Sequence, residues 1–286
     1  MLNKMRKIIF LIFLLSCAND NIINSNIEIN PDNLNIMTWN IESFPKNNQT
    51  IGYVAQIINA LDVDIIALQE ITNQSDLIEL ANSLNGNWDY SFYSNDSWGL
   101  AYLINTDNIS IIQSPYSILQ QYDYEFAGRP PYVLEFNYNN QNIILMNIHF
   151  KCCDGSEQRR ADASYYLDGY ISNNLYNENV IVVGDFNDSL IDDDNVFDVF
   201  LNKPEDYAFA DYPMAQQDNN PLSYWSFPTY PSHIDHILIS NELFDEYQNE
   251  GSTCSTLLVD QNFPNYDSYD DNVSDHRPVI ISLKIN

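Results

Sequence analysis

Two short, fully apolar runs constrain the fold more than any other feature of the sequence. Residues 65–68 and 180–183 contain no polar side chain, and both runs are bounded by polar residues within a few positions. Runs of this length are typical of strands that are buried on both faces of a sheet. Because each buried face needs a covering layer, the sequence predicts a largely buried sheet system with helices packed outside it.

The rest of the chain alternates between helix-like and strand-like stretches. Apolar residues recur at helical spacing behind Thr50 and again over residues 77–84, and a third helix is expected over residues 157–172 with Ser156 as its cap. Further strands are expected at residues 34–39, 100–104, 109–113, 132–136, 143–148, 234–240 and 278–285. This alternation is typical of α/β and α+β proteins and predicts mixed sheets.

The N-terminus reads as an export signal rather than as part of the fold. Three basic residues precede an apolar run over residues 8–15, which is too short to cross a bilayer, and Ser16 and Cys17 follow. The stretch that ends at Cys17 resembles the lipobox of bacterial lipoproteins. We therefore predict a lipoprotein signal peptide over residues 1–16, lipidation of Cys17 and an extracytoplasmic, membrane-anchored protein. An ordinary secretory signal cut near Cys17 is the alternative.

The mature chain reads as one domain behind a tether. Residues 17–33 are rich in Asn, Ser and Asp and are predicted to be a flexible tether, and residues 34–286 form the domain, with neither a second linker nor an internal repeat. The hydrophobic share of 45% excludes the disordered class. We expect a monomer.

The charge balance limits the kind of partner. The chain has 11 Lys and Arg against 40 Asp and Glu, a net charge of −29. Proteins that hold long nucleic acids need a basic stripe, because each phosphate contact releases counterions. So few basic residues cannot form one, and any binding of DNA is expected to be weak or bridged by cations.

Polar residues stand where the predicted strands end or begin. Those that follow strands are Asn40, Glu70, His149, Asp185 and Asn187. Those that precede strands are Asp235, Asp275 and His276. If the last two strands run antiparallel to the others, all of these groups reach the same rim of the sheets.

Each of these residues has an ordinary explanation when taken alone. An Asn or Asp after a strand is most often a turn former or a helix cap, and a single His is most often structural. Carboxylates, amides and two histidines on one rim together suit a hard divalent cation and proton transfer around a phosphate. Mg²⁺ fits such oxygen ligands, with Mn²⁺ as an alternative, whereas zinc would need more His or Cys.

Six ordered motifs resemble those of the endonuclease/exonuclease/phosphatase superfamily. They are Thr38-Trp39-Asn40-Ile41, Leu68-Gln69-Glu70-Ile71, Asn147-Ile148-His149-Phe150, Gly184-Asp185-Phe186-Asn187, Ile234-Asp235-His236-Ile237 and Ser274-Asp275-His276-Arg277-Pro278. They span the chain from about residue 34 to its end. The resemblance implies a four-layer α/β sandwich, in which two packed mixed β-sheets are flanked by helices.

The resemblance also implies a metal site and a base. Glu70 would bind Mg²⁺, with Asn40 and Asp275 completing the metal shell directly or through water. Asp185 would orient or deprotonate the attacking water. The reaction implied is metal-assisted hydrolysis of a phosphate ester, with no covalent enzyme intermediate.

The remaining motif residues would contact the phosphate. By the same resemblance, Asn187 would donate to the developing phosphorane oxygens, and His149 would contact another phosphate oxygen. His276, held by Asp235, would donate to the scissile phosphate or assist proton transfer. A carboxylate beside an imidazole raises its pKa, which keeps such a donor charged.

Basic residues near the motifs are candidates for substrate binding. Arg129 lies where the pancreatic deoxyribonuclease branch has an Arg-x-Pro substrate contact, so we predict a phosphate clamp. A loop Arg paired with an acid is the alternative. Arg159 and Arg160 open the third helix, and one of them, assigned here to Arg159, is expected to face the site.

Two positions depart from the deoxyribonuclease branch. The stretch from 97 to 100 lacks the carboxylate that would partner the His equivalent to His149. His233 stands where relatives often have Arg, two residues before Asp235, and strand alternation would place it on the same face. We predict that His233 contacts substrate, with a role at the rim or surface as the alternative.

The cysteines and acidic runs leave alternatives open. Cys152, Cys153 and Cys254 allow one disulfide, most simply between Cys254 and one of the pair, and metal binding by the cysteines is a less favoured reading. The acidic runs 192–194 and 267–271 could hold a structural Ca²⁺, but a solvated loop face is favoured.

Together these features predict a Mg²⁺-dependent hydrolase of phosphate esters, foremost a nuclease-type phosphodiesterase. A phospholipase, sphingomyelinase or inositol-phosphate phosphatase is the alternative, since a membrane anchor and an acidic surface suit such substrates. A catalytically inactive binding module is the third hypothesis. The intact set of motifs argues against it.

Overall fold

The computed structural model describes residues 29–94, 98–217 and 224–285. Twelve strands form within these ranges: β1 Leu34–Phe44, β2 Ile65–Ile71, β3 Trp88–Tyr93, β4 Gly99–Asn105, β5 Ser110–Ser117, β6 Tyr132–Tyr138, β7 Gln141–His149, β8 Asn179–Asp185, β9 Tyr207–Phe209, β10 Asp235–Ser240, β11 Thr253–Thr256 and β12 Val279–Leu283. The α-helices are α1 Thr50–Asn59, α2 Gln74–Asn82, α3 Glu157–Asn174, α4 Asp198–Leu201, α5 Tyr212–Ala215, α6 Phe244–Gln248 and α7 Tyr266–Asn272. Short 3₁₀ turns cover Gln120–Tyr122, Asn241–Leu243 and Val259–Asn262.

The strands form two six-stranded mixed sheets. The first has the order β11-β12-β1-β2-β4-β3 and the second has the order β5-β6-β7-β8-β10-β9. Each sheet has one parallel pair at its centre, β1 with β2 and β7 with β8, while the other neighbours are antiparallel. The carboxyl ends of the parallel pairs therefore define one rim in each sheet.

Three hydrophobic clusters make this a four-layer structure. Along β2, Ile65 and Ala67 pack between the sheets, whereas Ile66 and Leu68 pack outward beneath α1 and α2. The outer face of the second sheet is covered by α3 in the same way. The continuous apolar runs are thus explained, because both faces of the central strands are buried. The predicted four-layer fold is confirmed.

The predicted helices lie where expected, but their caps differ from the prediction. Thr50 is the first residue of α1 and its hydroxyl accepts a hydrogen bond from the backbone of Asn47 at 3.0 Å, while Gln49 holds the cap position. Ser156 occupies the cap position of α3 without a side-chain capping bond. Strands β3, β9 and β11 were not predicted. They are short or partly exposed edge strands, so the apolar pattern that marks a buried strand is weak there.

The three cysteines of the described chain are free thiols. The structure therefore does not support the disulfide alternative. Cys254 lies in β11 beside Ile281, and burial raises the pKa of its thiol well above the ordinary value. Within the described ranges, no helix combines the length and the apolar character needed to cross a membrane.

Candidate active site

The predicted convergence of polar residues at one rim is present in the structure. Strand β10 runs antiparallel to β8, so Asp235 at its start lies opposite Asp185 at the end of β8. Strand β12 likewise runs antiparallel to β1 and brings His276, three residues before its start, toward Asn40. His149 pairs with Asp185 at the end of the β7–β8 ladder.

A buried polar bridge joins the two sheets just beneath this rim. Gln69 donates from its amide to Asn147 Oδ1 at 2.7 Å, and the Asn147 amide donates to the carbonyl oxygens of Leu68 and Ala101. Both amide side chains are fully buried. Because Glu70 directly follows Gln69 and His149 lies two residues after Asn147, this bridge fixes the distance between the two halves of the site.

Three residues at the rim have positive φ angles, which residues other than glycine rarely adopt. Gly184 has a φ of +150°, and a Cβ added there would lie 1.9 Å from the carbonyl oxygen of Ile148, so only glycine fits between β7 and β8. Glu70 and Asn187 are non-glycine residues with φ values of +63° and +55°. Such strain concentrates where a site holds side chains in fixed directions.

Asp185 lies at the centre of the cluster and is almost fully buried. Its Oδ2 accepts from the Asn40 amide at 3.0 Å, and its Oδ1 accepts from the backbone of Asn187 at 2.9 Å. Burial and the nearby charge of Asp235 raise the pKa of Asp185 to about 7, although His276 and the Asn40 bond act in the opposite direction. A carboxylate with this pKa can exchange a proton near neutrality.

His276 is held from several sides. Its Nδ1 lies 2.8 Å from Asp235 Oδ2, its carbonyl accepts from Trp39 and Tyr269, and the ring of Phe227 stacks on it with centroids 4.6 Å apart. Burial alone would lower the pKa of His276, but the carboxylates of Asp235, Asp185 and Asp275 raise it to about 10. The imidazole is therefore a cation at neutral pH.

His149 has the opposite protonation. Burial, followed by the charges of Arg129, His276 and Lys151, lowers its pKa well below the ordinary value. Its Nε2 lies 3.5 Å from Asp185 Oδ2, and its buried Nδ1 has no hydrogen-bond partner among the described residues. The unpaired Nδ1 agrees with the sequence, which has no carboxylate near Trp98 to partner His149.

The three residues assigned to a metal lie together at the rim. Glu70 accepts a hydrogen bond from the backbone of Ser43 at 2.9 Å and one from the Asn40 amide at 3.3 Å. The amide nitrogen of Asn40 donates to Glu70 and Asp185, and its amide oxygen accepts from the backbone of Glu42, which leaves the second lone pair of that oxygen for a cation or its water. Asp275 Oδ1 is buried without a hydrogen-bond partner in the described structure.

The site opens into a cavity of about 1230 Å³. Its wall includes Arg129, whose guanidinium donates to the carbonyl oxygens of His149 and Phe150 at 3.2 Å each. The remaining lining residues include aromatic side chains that sequence reasoning did not single out, namely Tyr93, Trp98, Phe227 and Tyr230. They lie in loops or at strand edges, where no motif or apolar period marks them.

Two predicted substrate-binding residues lie elsewhere. Arg159 lies over the ring of Tyr124, with its guanidinium carbon 4.0 Å from the ring centroid, and does not line the cavity. His233 does not line it either, because β10 begins only at Asp235 and strand alternation does not extend back to residue 233. Its Nε2 instead lies 2.9 Å from Asp211 Oδ2.

By sequence, no curated protein matches the chain. Among solved structures, the fold is similar to D. rerio TDP2 in complex with a single-strand DNA product, with a TM-score of 0.67, 14% identity, and coverage of 88% of this chain and 99% of that one. It is also similar to mannosyl-6-phosphatase of Bacteroides thetaiotaomicron, with a TM-score of 0.62, 17% identity, and coverage of 88% of this chain and 100% of that one. The catalytic domain of human Nocturnin with bound sulfate is similar as well, with a TM-score of 0.59, 15% identity, and coverage of 89% of this chain and 94% of that one. At these identities the likeness concerns the fold.

The sequence itself identifies the family. The family model described as Endonuclease/Exonuclease/phosphatase matches residues 37–276, a range that holds every motif residue of the rim from Asn40 to His276. The match confirms the predicted superfamily and the predicted enzyme class, a hydrolase that acts on phosphate esters. The chain belongs to the Endonuclease/Exonuclease/phosphatase family.

Proposed function

We propose that this protein is a Mg²⁺-dependent phosphodiesterase that hydrolyses its substrate by direct, in-line attack of water. The observation that carries the proposal is that a carboxylate and an imidazole with different pKa values lie side by side in one cavity. Asp185 has a pKa of about 7 and the imidazolium of His276, with a pKa of about 10, lies 3.9 Å from it. A proton acceptor beside a fixed cation suits attack on a phosphate, where negative charge grows on the oxygens.

The donor set fits a hard divalent cation. Glu70 offers a carboxylate at the cavity wall, and Asp275 Oδ1 is a buried oxygen without a hydrogen-bond partner in the described structure, 3.9 Å from His276 Nε2. Two carboxylates with room for water are the ligands that Mg²⁺ prefers, and Mn²⁺ accepts the same set. When bound, the cation would neutralise charge on the phosphate and orient it.

The protein's own residues account for the remaining chemistry. Asp185 takes a proton from the attacking water while the water oxygen bonds to phosphorus, and the Asn40 amide holds the Asp185 carboxylate in place at 3.0 Å. The ester P–O bond on the opposite side breaks, and the departing oxygen takes a proton from solvent water. His276 donates a hydrogen bond from Nε2 to a phosphate oxygen, while Asp235 keeps its ring charged and oriented. The amide of Asn187 and the neutral ring of His149 donate to other phosphate oxygens. No covalent enzyme intermediate is required.

The basic residues of the cavity limit the substrate. Among the described residues, the positively charged side chains that line the cavity are Arg129, Lys151 and the imidazolium of His276, against the acids Glu70, Asp123, Asp154, Asp185 and Asp275. Three such groups can hold one phosphate group and its ester but cannot follow a long polyanion. A nuclease-type activity on short or single-stranded ends fits this better than binding along a duplex.

A small or lipid-derived phosphate ester is the second candidate. The observation that favours it is the aromatic part of the cavity wall, where Trp98 and Tyr230 are 47% and 73% exposed and can contact an uncharged headgroup or ring. One solved structure of similar fold is named a mannosyl-6-phosphatase, which supports a phosphomonoester as a further probe.

One assay series tests the function. Purified protein is incubated with Mg²⁺ and bis-(4-nitrophenyl) phosphate, plasmid DNA, RNA, sphingomyelin or inositol phosphates, alongside Glu70→Ala and His276→Ala. Activity that survives both substitutions would refute the proposed site. A steep loss of rate with added salt favours the polyanion, and a flat response favours the small or lipid substrate.

We also propose that the protein is exported and anchored by a lipid on Cys17. This rests on the signal-like pattern of residues 1–16, which, like Cys17 and most of the tether at 17–33, lies outside the described residues. The test compares membrane partitioning of the full chain with that of Cys17→Ser. Equal partitioning of both proteins would contradict lipidation.

A further inference from the structure

A second cluster of ionisable side chains lies directly behind the catalytic rim. Asp211 and His236 are fully buried, and the carboxylate oxygen Oδ2 of Asp211 lies 2.5 Å from Nδ1 of His236 and 2.9 Å from Nε2 of His233. The other carboxylate oxygen accepts from the backbone of Ile237 at 2.9 Å. None of these three side chains lines the cavity, and the proposed reaction does not use them.

The hydrogen bonds determine the charge of His236. Its Nε2 lies 2.9 Å from the carbonyl oxygen of Asp188, and a carbonyl can only accept, so Nε2 bears a proton. Its Nδ1 faces a carboxylate oxygen at 2.5 Å, where two lone pairs would repel each other unless a proton or a metal ion lies between them. With three donors around it, the Asp211 carboxylate is the ionised partner.

The distances at Asp211 fit a proton in that position rather than a zinc ion. Zinc lies about 2.0–2.2 Å from nitrogen and oxygen ligands, which at tetrahedral angles places two ligand atoms about 3.3 Å apart. The two nitrogen–oxygen distances at Asp211, 2.5 and 2.9 Å, are both shorter than that and match charge-assisted hydrogen bonds. His236 is therefore an imidazolium. The rings of Phe186, Phe197 and Phe209 surround it and keep water away.

The imidazolium of His236 holds the backbone segment 185–188, which bears Asp185 and Asn187. Asp188 directly follows Asn187, so the bond from His236 fixes the end of the segment 185–188 at its backbone. The side chain of Asp188 continues the link, because its Oδ2 accepts from Arg160 Nε at 2.7 Å. Arg160 in turn donates to the carbonyl oxygens of Lys151 and Cys153, which lie in the cavity wall.

We propose that protonated His236 is a positioning residue: anchored by Asp211, it holds the backbone at Asp188 and thereby fixes the directions of Asp185 and Asn187 in the cavity. The kinetic part of this inference rests on the proposed function. The charged groups that face His236 are the carboxylates of Asp211 and Asp235, and His233 lies beside it on the same carboxylate. Both acids favour the protonated ring.

The protonation state of His236 is tested by ¹⁵N NMR of the histidine rings, with Asp211, His233 and His236 left unchanged. An ordinary imidazole is about 97% neutral near pH 8. The chain has four histidines, and in the His276→Gln variant we expect one of the remaining three to keep protons on both ring nitrogens at that pH. Finding only neutral rings would overturn the proposal. A metal ion that remains bound after EDTA treatment and is lost in His233→Gln would overturn it as well.

The positioning role is tested with His236→Gln, with the double variant Asp211→Asn/His236→Gln, and with Lys203→Gln as a control. Lys203 forms a 2.7 Å ion pair with Asp168, and neither residue lines the cavity. We expect His236→Gln to lower kcat on bis-(4-nitrophenyl) phosphate about 10- to 100-fold with a KM change below about threefold. The double variant, which replaces the ion pair by a neutral hydrogen bond, should recover at least part of that loss.

Hydrogen exchange makes the inference independent of turnover. The backbone N–H of Asn187 donates to Asp185 Oδ1. Releasing Asp188 should therefore speed the hydrogen exchange of this N–H about tenfold or more in His236→Gln relative to Lys203→Gln. Unchanged exchange would overturn the proposal, as would equal losses of kcat in both variants. A wild-type protein inactive on every probe would instead contradict the proposed function, and the exchange result would still decide the role of His236.

Discussion

Nδ1 of His276 lies 2.8 Å from Oδ2 of Asp235, and this contact joins a residue before the last strand to the first residue of β10. The other oxygen of Asp235 is buried without a hydrogen-bond partner in the described structure, so the carboxylate is committed to this single imidazole. A buried carboxylate with one partner holds that partner charged. The charge of His276 is therefore set by the fold, and several consequences can be measured.

Replacing Asp235 by Asn should move the alkaline limb of the activity. Without the carboxylate, the pKa of His276 falls from about 10 toward the ordinary value, so the protonated donor is lost at a lower pH. We expect kcat near pH 8 to fall about 10- to 30-fold, while the loss is smaller near pH 6. The measurement is a pH profile of kcat. Asp168→Asn, which breaks an ion pair outside the cavity, should keep the wild-type profile.

Replacing Glu70 by Gln should weaken the binding of Mg²⁺. The amide oxygen of Gln can still accept from Ser43, so the local structure is kept while the charge is removed. We expect the Mg²⁺ concentration for half-maximal activity to rise about 10- to 100-fold. Titration of Mg²⁺ into EDTA-treated protein measures this, with the exposed Glu79→Gln as the control. An unchanged Mg²⁺ requirement would exclude Glu70 as a ligand.

The sequence was sufficient for the layers of the fold and for the rim. Residues 65–68 and 180–183 are apolar because strands at the centre of a sheet are covered on both sides, and polar residues stop such runs where strands end. These are local signals. The antiparallel directions of β10 and β12, which bring Asp235 and His276 to Asp185, were inferred from the need to unite the motif and are confirmed.

What the sequence could not show depends on contacts between distant segments. His233 was assigned to substrate by extending a strand two residues too far, and its partner Asp211 lies 22 positions earlier in a region without a motif. Arg159 and Arg160 are neighbours with similar patterns, yet Arg160 is buried against Asp188 while Arg159 lies on Tyr124. Which of two adjacent arginines turns inward depends on packing, for which a single sequence has no local signal.

Gly184 should tolerate no side chain. Alanine there would place its Cβ 1.9 Å from the Ile148 carbonyl at a φ of +150°, so the β7–β8 pair would have to separate. We expect Gly184→Ala to lower the free energy of unfolding by about 3 kcal/mol or more. Urea denaturation measures this. Gly52→Ala is the matched control, because no atom lies within 4 Å of its Cβ on the exposed side of α1, and it should stabilise the protein by about 0.5–1 kcal/mol.

The ionised carboxylate of Asp185 should lower the stability of the folded protein, because it is buried. Its pKa is raised from 3.8 to about 7 by burial, so the folded state holds the proton more tightly than the unfolded state. Stability therefore declines as pH rises above 3.8, and the full cost is present above about pH 7. Asn at this position can still accept from the Asn187 amide but has no charge to desolvate.

We therefore expect Asp185→Asn to be inactive and yet more stable than the wild type by about 1–3 kcal/mol near pH 8. The gain should shrink toward pH 4, where the wild-type carboxyl is protonated in the folded state. Urea denaturation at both pH values, with EDTA present so that no divalent cation offsets the charge, measures the difference. A variant that is less stable at both pH values would mean that the ion pairing of Asp185 with His276 outweighs its burial.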